Sequence, residues 1–416
     1  MTGIEATFID RTPASAAHAA RAAAVMPGGD TRAAAHHPPY QLTMTSGVGP
    51  YLTDLDGHRY LDLIGNFTSL VHGNAFGPII EAATAAAARG TNWPARNEAA
   101  VELAEELCRR VASVDQVRFT NSGSEATMLA VEIARVATGR RRFLMAKYGY
   151  HGSMPQFEIG TSGQSGGETL IAPFGDLTAF EEMLELHGDD IACVILEPVL
   201  GSGGVVTPPD GFLAGVAAAA RRVGALFVLD EVITLRLAPG GHQAVEGLLP
   251  DLTAMAKIIG GGFPVGAIGG RADLMELCNP FRPRIFHSGT FNGNPVTMAA
   301  GLEAVRHLTS DSISTMAVRS ASLEERLRTS ASTRGVPFST RRAGSLLQVY
   351  LSDELPASNG ERGDGELANL LHLALLNQGV FCAARGLIAL STALDDGLIE
   401  DAAARFDAAL ADVAAS

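Results

Sequence analysis

Apolar positions along the chain follow two rhythms. Between about Glu98 and Gly270, short apolar runs alternate with stretches of helical period. The runs Val117–Thr120, Phe143–Met145, Cys193–Leu196, Phe227–Leu229 and Ala267–Ile268 predict strands. The intervening Glu98–Val111, Glu125–Thr138, Ala179–Glu185 and Phe212–Val223 predict helices. Apolar strands separated by helices predict an α/β architecture, a mostly parallel sheet covered on both faces. Upstream, an alanine-rich helix over about Ala14–Val25 stops at Pro27-Gly28-Gly29, and Asp56-Gly57 between alternating apolar residues of Tyr51–Leu63 predicts a hairpin. The polar, glycine-rich stretches Gly160–Glu168 and Ala357–Gly365 predict surface loops. A long helix is expected from about Asn294, followed by mixed structure suited to a second lobe.

Composition narrows the class. A chain of 416 residues with 47% hydrophobic content can bury a large core, and a net charge of −14 argues against nucleic acid and anionic membrane surfaces as partners. The longest apolar candidate, around Leu213–Val232, is interrupted by Arg221, Arg222 and Asp230, so no bilayer span is expected. The N-terminal stretch lacks the continuous apolar core of a signal peptide. Cys108, Cys193, Cys278 and Cys382 form no Cys-x-x-Cys pair, which predicts free thiols, no metal site and a cytoplasmic location.

Lysine is the rarest basic residue: only Lys147 and Lys257 occur, the latter between an apolar approach and Gly260-Gly261-Gly262. An amine in such surroundings is easily desolvated, which lowers its pKa and frees its lone pair to form an imine with an aldehyde. The alternative is a chance survivor in an arginine-biased chain. Three further features fall at strand ends, where open α/β sheets bind ligands. Thr120-Asn121-Ser122-Gly123-Ser124-Glu125 opens a helix and offers N–H groups and hydroxyls to a phosphate; a plain N-cap is the alternative. Tyr150, in Tyr148-Gly-Tyr150-His151-Gly152, offers a flat face to an aromatic ring, or is a core tyrosine. Asp230 ends an apolar strand and can hold the protonated nitrogen of a pyridine ring, or cap a helix. Phosphate, stacking ring, ring nitrogen and aldehyde together describe pyridoxal 5′-phosphate (PLP).

On these residues the chain resembles a fold-type I, class III aminotransferase, in the branch of glutamate-1-semialdehyde aminomutase and the β-amino acid aminotransferases. Further matches are Pro27-Gly28-Gly29, Asp54-Leu-Asp56-Gly57, Glu197-Pro198, Asp230-Glu231-Val232 and His287-Ser-Gly289-Thr290-Phe-Asn-Gly-Asn294-Pro295. The resemblance implies a large domain with a mostly parallel seven-stranded sheet, and a smaller α+β domain built from both chain ends. Residues 1–70 and 301–416 would form the small domain and 71–300 the PLP-binding domain. It further implies that Lys257 carries the cofactor as an imine and Asp230 pairs with the pyridinium. Tyr150 would stack on the ring, with His151 in the same binding set and Val232 behind it, and Ser122, Gly123 and Ser124 would cradle the phosphate. Thr290 would reach the phosphate of a neighbouring subunit, making the enzyme a homodimer with shared active sites.

Two departures narrow the branch. Thr234-Leu235-Arg236-Leu237-Ala238-Pro239-Gly240 resembles a run in the β-amino acid enzymes, as does Cys382-Ala-Ala-Arg385-Gly386, although relatives carry a double arginine where this chain has Ala384-Arg385. Arg32 matches a second substrate-contacting arginine. A guanidinium grips a carboxylate in bidentate fashion, so Arg32 and Arg385 are expected to divide the carboxylates of an amino donor and a keto acid acceptor. The expected reaction is ping-pong transfer from a β-amino acid to 2-oxoglutarate or pyruvate; the alternative is an aminomutase that moves the amine within one molecule. Racemase chemistry and a nucleotide-binding oxidoreductase, suggested by Gly201-Ser-Gly203-Gly204, are weaker alternatives.

Overall fold

The computed structural model describes residues 2–157, 167–356 and 365–416. The two expected glycine-rich loops therefore lie, apart from their ends, outside the described residues. The chain divides into two compact units, Met1–Phe76 with Ser314–Ser416, and Gly77–Ile313.

The first unit begins with two helices, Gly3–Arg11 and Pro13–Ala23, the first turn of the second held by Asp56, whose carboxylate accepts from the Ala14 and Ser15 N–H groups at 2.7 and 2.9 Å. Strands β1 (Met44–Val48), β2 (Tyr51–Asp54) and β3 (Arg59–Asp62) follow. β2 and β3 form the expected hairpin, antiparallel with Tyr51 opposite Leu61, turning at Gly57 with φ +87°. The unit extends to Phe76 because Asn74 bridges Gly49 and donates to Asp62 Oδ2 at 2.9 Å.

The second unit holds the seven-stranded sheet, built from β4 (Gln116–Thr120), β5 (Arg142–Ala146), β6 (Thr169–Ala172), β7 (Ile191–Leu196), β8 (Leu226–Asp230), β9 (Leu252–Ala256) and β10 (Gly266–Gly270). Spatial order is β4-β10-β9-β8-β7-β5-β6, with β10 antiparallel to both its neighbours and every other pair parallel. Alternation explains the continuous apolar runs. Phe143 and Met145 face one buried cluster with Leu129 and Ile133, while Leu144 and Ala146 face another with Phe180 and Phe212. Two strands escaped the hydrophobic pattern: β6, and β9, the apolar approach to Lys257. The unit runs to Ile313, past the boundary of about 300 expected from sequence, because the helix Pro295–His307 packs on Gly77–Ala88 and Glu98–Arg110.

The chain then returns to the first unit. β11 (Ser339–Ala343), β12 (Leu346–Tyr350) and β14 (Leu387–Ala389) make an antiparallel sheet, and β13 (Val380–Phe381) joins β3 in parallel. Phe8, Tyr60, Leu61, Leu323, Leu347 and Phe406 meet in one core, so both chain ends build the α+β unit. Among the described residues no helix is long and apolar enough to cross a membrane, and all four cysteines are free.

Candidate active site

The residues singled out in the second unit converge where β4, β5, β7, β8 and β9 end. Asp230 closes β8 and is 3% exposed. Its Oδ1 accepts from the Val232 N–H at 3.0 Å, and its Oδ2 lies 2.8 Å from His151 Nδ1. The carboxylate sets the imidazole tautomer by taking an Nδ1–H, while Thr127 Oγ1 donates to the His151 carbonyl at 2.6 Å. The contact joins two buried groups, the His151 ring and the Asp230 carboxylate. A carboxylate buried this deeply at a strand end suits a cationic ring nitrogen.

Lys257 follows β9 directly and opens a short 3₁₀ turn, Lys257–Gly260, with φ +51°. Left-handed backbone is uncommon for a residue other than glycine and collects at functional positions. β9 aligns in parallel with β8, with Ala254 opposite Asp230. Lys257 thus starts three residues beyond the carboxylate's register partner. Two of the glycines in this region sit at close approaches, tight at Gly123 and too close for any side chain at Gly152. A Cβ on Gly123 would sit 3.1 Å from Val232 Cγ2 and 3.3 Å from the Ala256 Cβ, so the cradle, Val232 and the residue before Lys257 are in contact. A Cβ on Gly152 would fall 2.2 Å from Ser124 Oγ, which presses the Tyr150-His151-Gly152 turn onto the cradle.

The cradle heads the helix Gly123–Thr138. Ser122 is indeed its N-cap, with Oγ accepting from the Glu125 N–H at 3.2 Å, and Glu125 takes the Asn121 N–H at 2.9 Å. The capping and phosphate readings coexist: the Gly123 and Ser124 N–H groups lie in the first turn, where helical geometry supplies no intrahelical acceptor. Tyr150 is 41% exposed, leaving a ring face for stacking. Thr290 is exposed on a segment tied to the cradle by an Asn121–Asn292 hydrogen bond of 2.7 Å.

Sequence reasoning left the role of Glu197 open and missed Thr127 altogether. Glu197, at the end of β7, accepts the Tyr150 N–H through Oε1 and the Gly201 N–H through Oε2, each at 2.9 Å. It thereby fixes the turn that carries Tyr150. Burial pushes its carboxyl up to about 7, partly offset by His151 and the two N–H bonds. Gly201-Ser-Gly203-Gly204 folds around this carboxylate and opens no helix, which removes the nucleotide-loop alternative.

The two expected substrate arginines belong to the first unit, and one turn gathers them. Arg32 Nη1 donates to Asn66 Oδ1 at 2.7 Å, and the Arg385 guanidinium lies 5.8 Å from the centre of the Phe67 ring. That turn, Gly65–Thr68, is left-handed at four successive residues, with φ of +52°, +49°, +53° and +77°. The conformation costs about 1–2 kcal/mol for each residue other than glycine or asparagine. Its sequence signal was slight, a Gly-Asn pair.

Comparison with known proteins now decides the family: the aminotransferase class-III model matches residues 32–409. The chain belongs to the class III aminotransferases. It is 40% identical over 354 residues to a glutamate-1-semialdehyde 2,1-aminomutase of Myxococcus xanthus, covering 80% of this chain and 82% of that one. It is 37% identical over 397 residues to a β-phenylalanine transaminase of Variovorax paradoxus, covering 94% and 92%. The solved structure of an ω-transaminase from Sphaerobacter thermophilus superposes with a TM-score of 0.92 at 37% identity, covering 97% of this chain and 99% of that one. Class III aminotransferases use PLP and take an amino donor and a keto acid. The buried Asp230, the exposed face of Tyr150 and the cradle fit that cofactor.

The class III assignment makes the Gly152 contact testable. Gly152→Ala adds a methyl against Ser124 Oγ at a backbone φ of +108°. Overpacking of this kind costs about 1–3 kcal/mol. Retention of PLP on dialysis, read by absorbance, should fall with an affinity loss of roughly tenfold or more.

Proposed function

We propose that this class III aminotransferase moves the amino group of a β-amino acid, with an aromatic or aliphatic substituent, to a keto acid such as 2-oxoglutarate or pyruvate by ping-pong transfer. The observation that carries the reading is the pair of guanidiniums, Arg32 and Arg385, gathered on one turn. Two such groups suit a donor carboxylate and a dicarboxylic acceptor used in succession. The β-phenylalanine transaminase match over 94% of the chain supports it.

When bound, PLP supplies an electron sink for the carbon that bears the amine. The chain's residues do the rest. Lys257 would hold the cofactor covalently, and its Nζ, when free, would take the proton from the amine-bearing carbon and deliver it to the cofactor's aldehyde carbon. Asp230 would keep the ring nitrogen protonated, with His151 and the Val232 N–H holding its two oxygens in place. Tyr150 would cover one ring face and exclude water, Val232 would pack behind the ring, and Ser122, Gly123 and Ser124 would bind the phosphate. Arg32 and Arg385 orient the carboxylates. Thr290, exposed with Phe281, Phe286 and Phe291 nearby in sequence, would reach the phosphate of a second copy, completing a homodimer.

The test is a scan of purified holoenzyme against α-, β- and ω-amino donors with 2-oxoglutarate and pyruvate, following the cofactor spectrum. Spectral change and turnover with β-amino acids, dependent on an added acceptor, are expected. Conversion of glutamate 1-semialdehyde without any acceptor would favour the aminomutase reading, which the Myxococcus xanthus match at 40% identity keeps in view.

A further inference from the structure

We infer that the left-handed turn Gly65–Thr68 sets the spacing and aim of the two substrate arginines, with Asn66 and Phe67 as positioning residues for carboxylate recognition. The inference rests on the reading of Arg32 and Arg385 as carboxylate-binding residues.

The turn is rigidly rooted. Asp62, 4% exposed, accepts the Ile64 and Gly65 N–H groups through Oδ1 at 3.0 and 2.9 Å, and its Oδ2 takes Asn74 Nδ2 at 2.9 Å. Within the turn the Leu70 N–H donates to the Gly65 carbonyl at 2.8 Å, and Ser69 Oγ donates to the Asn66 carbonyl at 2.9 Å. Leu63, two residues before the turn, shares its backbone with the loop that carries Arg385. Its N–H donates to the Phe381 carbonyl at 2.9 Å, and its carbonyl accepts the Ala389 N–H at 2.7 Å. Residues 381 and 389 flank Arg385 on either side. A single residue therefore registers the turn against the arginine's loop.

The side chains then fit the two arginines. Asn66 Nδ2 donates to Ser69 Oγ at 3.1 Å, which turns Oδ1 toward Arg32. A neutral amide restrains the guanidinium with one bond and leaves its charge and remaining donors for a carboxylate. Asparagine also tolerates left-handed backbone better than other side chains. Phe67 tolerates it poorly, yet stands there at φ +53° with its ring beneath Arg385. A bulky residue kept in a disfavoured conformation against one of the two cations, next to the residue that holds the other, marks a recognition device.

The experiment compares Asn66→Gly, Asn66→Asp and Phe67→Leu with Arg32→Ala and Arg385→Ala in the holoenzyme, measuring KM and kcat for the amino donor and for 2-oxoglutarate. Asn66→Gly keeps the backbone conformation and loses the acceptor. It should raise, by roughly tenfold, KM for whichever substrate Arg32→Ala weakens, with kcat within about twofold, the effect of one hydrogen bond to a charged group. Asn66→Asp keeps the acceptor and neutralises Arg32, so it should raise the same KM at least as much. Phe67→Leu should act on the substrate that Arg385→Ala weakens. If both Asn66 variants leave KM unchanged while Arg32→Ala raises it, the inference fails and the carboxylate reading stands. Arg32→Ala and Arg385→Ala leaving both KM values unchanged would sink that reading itself. Parallel loss of kcat with both substrates in Asn66→Gly and Asn66→Asp would mean collapse of the turn and would also overturn the inference.

Discussion

Replacing Lys257 with alanine is expected to end turnover, lowering kcat by on the order of 10⁴-fold or more, because in the proposed mechanism one side chain serves as both covalent anchor and proton carrier. The variant should fold with its sheet intact, since Lys257 lies beyond the last residue of β9 and is only half-buried. Lys257→Arg, which keeps the charge but cannot form the imine, is the companion variant. Absorbance of the bound cofactor should shift in both, and neither should complete a catalytic cycle. Robust transamination by either would refute the assignment of this lysine.

Asp230→Asn should come next in size. The amide preserves shape and leaves a bond to the Val232 N–H available, but it removes the negative charge that, in the proposed role of Asp230, keeps a ring nitrogen protonated. We expect kcat to fall roughly 10³-fold, about 4 kcal/mol of transition-state stabilisation, with a much smaller change in PLP retention. His151 loses its ionic partner as well, and its 2%-exposed ring should then be held less firmly. Single-turnover rates with a β-amino acid measure the effect directly. A fall of less than tenfold would mean that Asp230 is only a strand cap.

Much of the large unit was legible because its strands are buried on both faces and announce themselves as unbroken apolar runs, as Cys193–Leu196 does within β7. β9 hid behind Thr253, a polar residue in a strand whose five positions are all buried. β6 is four residues long and pairs only with β5, too little to stand out from a polar neighbourhood. β11 hid behind Arg341 and Arg342, which break the alternation. In the site, Lys257, Asp230 and the Ser122–Ser124 cradle were readable because each is a local motif at a strand end. The left-handed turn was not. Its φ signs are imposed by Asp62 and by partners of Leu63 more than 300 positions along the chain, and no window of sequence contains both. Glu197 was visible as a motif, but its task depends on two N–H groups brought together only by folding.

The alignment of β8 with β9 has a consequence for quality control. A slip of one residue between these strands would move Lys257 about 3.3 Å along the strand direction and send alternate side chains to opposite faces. On the proposed roles, the amine would then miss a heterocycle held at Asp230, and such a molecule would stay colourless however compact it became. Visible absorbance from vitamin B6 is thus a direct assay of whether the central strands paired correctly, available before any substrate is known.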